Sequence, residues 1–142
     1  MRISSGSDTG KDSAIASPVF GGCIDCTVTA LIGTSSGVGN YLELLGWYVN
    51  QKNYVEVTLR EDKDKLIFKH KINGSVVQKQ KVNVNILPDE AYELQVSFDG
   101  TLFHVSVDGI VMLVAEPSIV PFGTVGFSVK NSTGNFHEIF VD

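Results

Sequence analysis

Two Asp-Gly pairs, Asp99-Gly100 and Asp108-Gly109, stand nine residues apart in the stretch VSFDGTLFHVSVDG. Acidic loops could hold a cation, because carboxylate oxygens suit calcium. Asp-Gly is equally the dipeptide of tight hairpins, whose central residues need positive φ. Register separates the two readings. Tyr92, Leu94, Val96 and Phe98 share one strand face. A two-residue turn at Asp99-Gly100 pairs Phe98 with Thr101, Val96 with Phe103 and Leu94 with Val105. A second at Asp108-Gly109 sets Val105 opposite Met112 and Phe103 opposite Val114. Both registers gather the apolar residues on one face. The aspartates are therefore read as turn formers.

Other reactive residues give no catalytic constellation. Cys23 and Cys26 sit as GGCIDC, half a zinc site at most, since no second Cys or His pair follows at ligand spacing. They are either a small disulfide loop or a pair of reduced thiols. The three histidines, His70, His104 and His137, are far apart and read as satisfied or solvated, with His104 facing outward. GTSSG (33–37) has the letters of Gly-x-Ser-x-Gly but no following helix to make it a nucleophile elbow, and there is no His-Glu-x-x-His. GTSSGVGN (33–40) lacks the lysine and following helix of a phosphate loop and reads as an ordinary loop.

These residues must be positioned by strands. The 142-residue chain is long enough for one self-sufficient domain. A formal net charge of −5 argues against nucleic acid as a partner, which needs a basic footprint. No apolar run is long enough to span a bilayer. Residues 1–13 read as a flexible N-terminal segment and 14–142 as a single β-sandwich. The strands expected are 14–20, 26–34, 41–50, 53–60, 65–73, 75–84, 91–98, 101–107, 110–115, 123–130 and 136–141. No segment keeps a helical apolar period, so helix is expected to be nearly absent.

Two surfaces offer themselves for binding. In KLIFKHKINGSVVQKQKVNV, a three-residue loop with Gly74 in the left-handed position puts Leu66, Phe68, Ile72, Val76 and Val82 on one side. Lys65, Lys69, Lys71, Lys79 and Lys81 then fall on the other. That lysine stripe is either a solvated face or the seat of an anionic ligand such as a sulfated or uronic-acid glycan. Sugar recognition also wants aromatic rings beside polar groups, and the candidates are Tyr41, Trp47, Tyr48 and Tyr54. In YLELLGWYVN, alternation places Leu42, Leu44, Gly46 and Tyr48 on one face and Tyr41, Glu43, Leu45 and Trp47 on the other. Both faces are partly apolar, which favours Trp47 as core over platform. Tyr54 lies out of phase with inward Val55, Val57 and Leu59, so it faces outward with Glu56, Thr58 and Arg60.

YELQVSFDGTLFHVSVDG followed by GTVGFSVKNSTGNFHEIFV resembles the C-terminal half of a concanavalin A-like, laminin-G-like jelly roll. LLGWYVNQKNYVEVTLRED is similar to the middle of its bacterial members. The resemblance covers residues 15–142 and implies an antiparallel two-sheet β-sandwich. That superfamily holds lectins, glycan-binding modules, adhesion domains and laminarinase-type hydrolases. The hydrolases carry a Glu-x-Asp-x-Glu strand, because retaining hydrolysis needs two carboxyl groups about 5–5.5 Å apart. Glu43, Glu56, Glu93 and Glu138 each lack a carboxylate two positions away, so no catalytic residue is assigned and the carboxylates are expected to be solvated.

The resemblance thus points to a non-catalytic carbohydrate-binding or accessory module of a larger extracellular or cell-surface protein. Its partners would be a polysaccharide or glycan and the other domains of the parent chain. The alternative is a structural or adhesion domain with no glycan site. Exposed aromatics on a sheet face would favour the first, an exposed apolar patch elsewhere the second. No cofactor is required, but structural calcium is implied near the chain ends, where Asp8, Asp12 and Asp142 would approach one another if the terminal strands pair. Asn73 and Asn131 fit the glycosylation triplet.

Overall fold

The computed structural model describes residues 2–3, 7–10, 13–15, 27–34, 41–87, 90–117, 124–130 and 132–141, with side chains over 27–32, 43–60, 62–87 and 90–117. Thirteen strands account for most of this: β1 Arg2–Ile3, β2 Ser7–Gly10, β3 Ser13–Ile15, β4 Thr27–Thr34, β5 Tyr41–Asn50, β6 Asn53–Arg60, β7 Lys65–Ile72, β8 Ser75–Asn83, β9 Ala91–Phe98, β10 Phe103–Val107, β11 Ile110–Ala115, β12 Thr124–Lys130 and β13 Ser132–Val141. A single 3₁₀ turn, Glu61–Lys63, is the only helical element among the described residues. The strands form two antiparallel sheets. The first runs β1-β13-β4-β9-β10-β11, with β2 also on β13; the second runs β3-β12-β5-β6-β7-β8. The segment expected to be a flexible N-terminus therefore carries two short strands that pair with β13. Cys23 and Cys26 lie outside the described residues.

One apolar core separates the sheets. Val28, Ala30, Ile32, Leu94, Val96, Phe98, Phe103 and Val105 of the first sheet meet Leu44, Val55, Val57, Leu59, Leu66 and Phe68 of the second. The alternation in β9 shows why: Tyr92, Leu94, Val96 and Phe98 are buried while Ala91 and Glu93 are exposed. Each fully buried side chain contributes about 1.5–3 kcal/mol.

The hairpins depart from their expected registers in an instructive way. The β9–β10 loop spans four residues, pairing Phe98 with Phe103 and Val96 with Val105. Asp99 builds it as an Asx turn, its Oδ1 accepting the amides of Thr101 at 2.8 Å and Leu102 at 2.7 Å. The register moves by two residues, so every side chain keeps its expected face. At β10–β11 the two-residue turn forms as read, with Asp108 at φ 49° and Gly109 at φ 80°. A bulge at Val105–Ser106 then shifts the pairing by one, setting Val105 opposite Leu113 and Phe103 opposite Ala115. Leu113 and Ala115 point inward in consequence, and Val114 is exposed where it was expected to be core.

The β7–β8 hairpin reverses an expectation differently. Its turn has two residues, Asn73 at φ 51° and Gly74 at φ 84°, not three. The extra residue sits inside β8 as a bulge, between the Lys71↔Val76 and His70↔Gln78 pairs. Beyond it Lys69 pairs with Lys79 and Leu66 with Val82. The lysines keep one common face, but Val76 joins them instead of the core.

Candidate functional site

The outer face of the second sheet is a grid set by these registers. One row across β5, β6, β7 and β8 reads Glu43, Thr58, Ile67, Lys81; the next reads Leu45, Glu56, Lys69, Lys79. Glu43, Glu56, Thr58, Arg60, Ile67, Lys69, Lys79 and Lys81 line a recess of about 130 Å³. Its floor is polar and buried: Glu43 is 2% exposed, Glu56 4% and Thr58 3%. The expectation of solvated carboxylates at 43 and 56 is thereby corrected. Long lysine stems from β7 and β8 flank a floor of shorter residues and cover it, as amphipathic side chains do.

The buried Glu56 carboxylate is matched. Thr58 Oγ1 donates to its Oε1 at 3.3 Å, and Lys69 Nζ stands 3.5 Å from the same oxygen. At the rim, Arg60 makes a paired contact with Asp62, Nη2 to Oδ2 at 2.6 Å and Nε to Oδ1 at 3.1 Å. Lys65 Nζ donates to Asn83 Oδ1 at 2.5 Å. Lys79 and Lys81 have no carboxylate within ion-pair distance among the described residues. Lys81 and Lys69, in that order, hold Lys79 below the usual lysine range by charge repulsion.

Two aromatic groups lie on the same face, outside the recess lining, with Tyr54 two residues along β6 from Glu56. Tyr48 and Tyr54 stack with ring centroids 5.8 Å apart and planes inclined by 24°. Lys71 Nζ lies 5.4 Å from the centre of the Tyr54 ring, within cation–π reach. Both tyrosines are half-buried, so ring surface stays open to solvent.

Alternation along β5 had put Trp47 with Glu43 and Tyr48 with Leu44. The structure exchanges them. A bulge between Gly46 and Asn50, with Trp47 at φ 45°, sends the indole inward and Tyr48 outward. Trp47 is 3% exposed and packs edge-on against Phe103 at 5.1 Å. It is a core residue and no platform. Tyr41 lies in β5 opposite Arg60, with its side chain outside the described residues. Lys69, Lys71, Lys79 and Lys81 fall on the predicted face. Asp8 lies in β2 opposite Gly134, and its side chain, like Asp12 and Asp142, lies outside the described residues.

Reading the sequence missed Glu43, Thr58 and Ile67 as members of a recess; the phase of Thr58 with Tyr54 in β6 and of Ile67 with Lys69 in β7 was the available signal. His70 was also misjudged. It is buried, edge-on to Phe103 at 6.0 Å, and its Nδ1 has no hydrogen-bond partner among the described residues. His104 is half-buried and bonds Asp99 Oδ2 at 3.1 Å. The carboxylate of Asp108 accepts from the Glu93 amide at 2.8 Å, tying the β10–β11 turn to β9, while that of Asp99 closes its own loop.

At the level of sequence, no family model matches the chain, nor does any curated protein. Solved structures do resemble it. The carbohydrate-binding module CBM66 from Bacillus subtilis superposes with a TM-score of 0.80 at 20% identity, over 95% of this chain and 83% of that one. A galectin of Caenorhabditis elegans gives 0.72 at 8% identity, over 99% and 95%. A β-glucanase of Bacillus licheniformis gives 0.67 at 12% identity, over 91% and 77%. With its two antiparallel sheets and Asp-Gly hairpins, the chain has the concanavalin A-like jelly-roll fold of these lectins and glucanases.

Proposed function

We propose that this chain is a non-catalytic carbohydrate-binding module of a larger extracellular protein, with its glycan on the outer face of the second sheet. The observation that carries the reading is the Tyr48–Tyr54 stack on the same sheet face as a recess floored by Glu56 and Thr58, with Tyr54 two residues along β6 from Glu56. Ring faces take the apolar face of a sugar, and fixed polar groups take its hydroxyls. Similarity of fold to a carbohydrate-binding module and to a galectin supports the class of ligand.

Glu43 and Glu56 in one recess raise the question of hydrolysis. That chemistry needs one carboxyl group as acid and the other as base or nucleophile. Glu56 is already engaged by Thr58 and Lys69, an arrangement suited to orienting a hydroxyl. A structural or adhesion role is the second reading, favoured by Val76, Val77, Ile110, Val111 and Val114, which are exposed on the edge strands β8 and β11.

The test is retention on a panel of neutral and acidic polysaccharides, run with calcium and with chelator, with assay for new reducing ends. The module reading expects retention without cleavage. Retention lost in chelator would support calcium near Asp8, Asp12 and Asp142. Cleavage abolished by Glu56→Gln would replace the reading with a hydrolase. No retention on any polymer would leave the adhesion reading.

A further inference from the structure

The recess is lopsided in charge. Its carboxylates, Glu43 and Glu56, lie at the floor on β5 and β6, while Lys69, Lys79 and Lys81 rise on β7 and β8. Of the cations along this face, Lys69 has Glu56, Arg60 has Asp62, Lys65 has Asn83 and Lys71 has the Tyr54 ring. Lys79 and Lys81 have no carboxylate within ion-pair distance among the described residues, and the repulsion of Lys81 and Lys69 outweighs the attraction of Glu56, holding Lys79 below the usual lysine range. Two ammonium groups without an ion-pair partner among the described residues, beside a buried polar floor, form a locally positive edge on a chain of net charge −5. An anion placed there relieves the repulsion; a neutral sugar leaves it in place.

Resting on the glycan reading above, we propose that the ligand is an acidic sugar chain, with a carboxylate or sulfate group seated between Lys79 and Lys81. The neighbouring sugar ring lies toward the Tyr48–Tyr54 stack, and its hydroxyls meet Thr58 and Glu56. The acidic floor fixes the direction, since an anion is repelled from the β5–β6 side and drawn to β8. From sheet spacing, Tyr54 and Lys79 are about 12 Å apart in the plane of the sheet, two strands across and two residues along. A short oligosaccharide covers that span.

The experiment is a pair of titrations at low salt: oligogalacturonate against its carboxyl-reduced counterpart, and dextran sulfate against dextran. The proposal expects the acidic member of one pair to bind at least tenfold more tightly than its neutral partner. The pair showing it tells carboxylate from sulfate. That gain should shrink in about 1 M NaCl, where the Debye length is about 3 Å. The variant Lys79→Gln/Lys81→Gln should lose the gain. Lys52→Gln/Lys63→Gln carries the same change in net charge away from the recess and should keep it. Equal loss in both double variants would overturn the proposal, since the attraction would then be general. Equal affinity for acidic and neutral polymers would overturn it while leaving the glycan reading intact. No binding to either kind would remove both.

Discussion

Tyr48 and Tyr54 stack 5.8 Å apart on the outer face of the second sheet, although strict alternation along β5 assigns Tyr48 to the inner face. The bulge at Gly46–Asn50 makes the contact possible. In the glycan reading this stack is the platform, so its removal must weaken binding without unfolding the protein. Tyr54→Ala is expected to cost about 1–2 kcal/mol in glycan affinity, as loss of an aromatic contact does. Its denaturant midpoint should change little. Calorimetry and urea unfolding on the same preparation check both halves.

Trp47→Ala should behave in the opposite manner. The indole is buried against Phe103, which also meets Phe68 and Phe98 at 5.2 and 4.9 Å. Truncating a buried aromatic leaves a cavity and costs about 3–5 kcal/mol. The expected result is a large drop in the unfolding midpoint. Any glycan affinity left in the folded fraction should be close to that of the wild type.

Gly109 tests the hairpin that register alone predicted. At φ 80°, with nothing within 4 Å of a built Cβ, its substitution meets no clash and only backbone strain. Gly109→Ala is expected to destabilise by about 1–2 kcal/mol, the cost of a left-handed conformation for an L-residue. Denaturant unfolding should show a lower midpoint at an unchanged slope.

His70 makes stability depend on pH. Burial holds it below its ordinary value of 6.5, so the unfolded chain binds a proton more readily than the folded one. Its stabilising contribution is therefore complete above about pH 6.5 and is lost as pH falls from there toward the folded-state value. His70→Leu should flatten the unfolding midpoint across that window. It also removes the unpartnered buried Nδ1, which should raise stability by about 1 kcal/mol at neutral pH. Midpoints measured between pH 5 and 8 for both proteins test the two expectations.

Periodicity in the sequence carried the sheet faces wherever an error came in twos. The β9–β10 loop is longer than expected, yet Leu94, Val96, Phe103 and Val105 stay in the core. What it could not carry was the irregular insertion. The one-residue bulges in β8 and β11 flip the side chains beyond them, bringing Val114 to the surface, and in β5 the wider bulge, where residues 47–49 oppose only Tyr54, let Trp47 and Tyr48 exchange faces. Bulges depend on twist and packing across the sheet, which a local pattern does not record. The recess had the same difficulty: Glu43 and Glu56 look like lone carboxylates until β7 and β8 lay lysines over them. The lysine face survived because the bulge in β8 does the work of the longer turn the sequence had suggested.

The most direct test of the account is a titration of isotope-labelled protein with the oligosaccharide that the panel retains most tightly, followed by backbone amide shifts. The account predicts that the largest shifts fall on Tyr48, Tyr54, Glu56, Thr58, Lys69, Lys79 and Lys81, and that Tyr54→Ala weakens the titration. Shifts confined to the β10–β11 edge, or to the turns at Asp99 and Asp108, would contradict it by placing the glycan elsewhere on the sandwich.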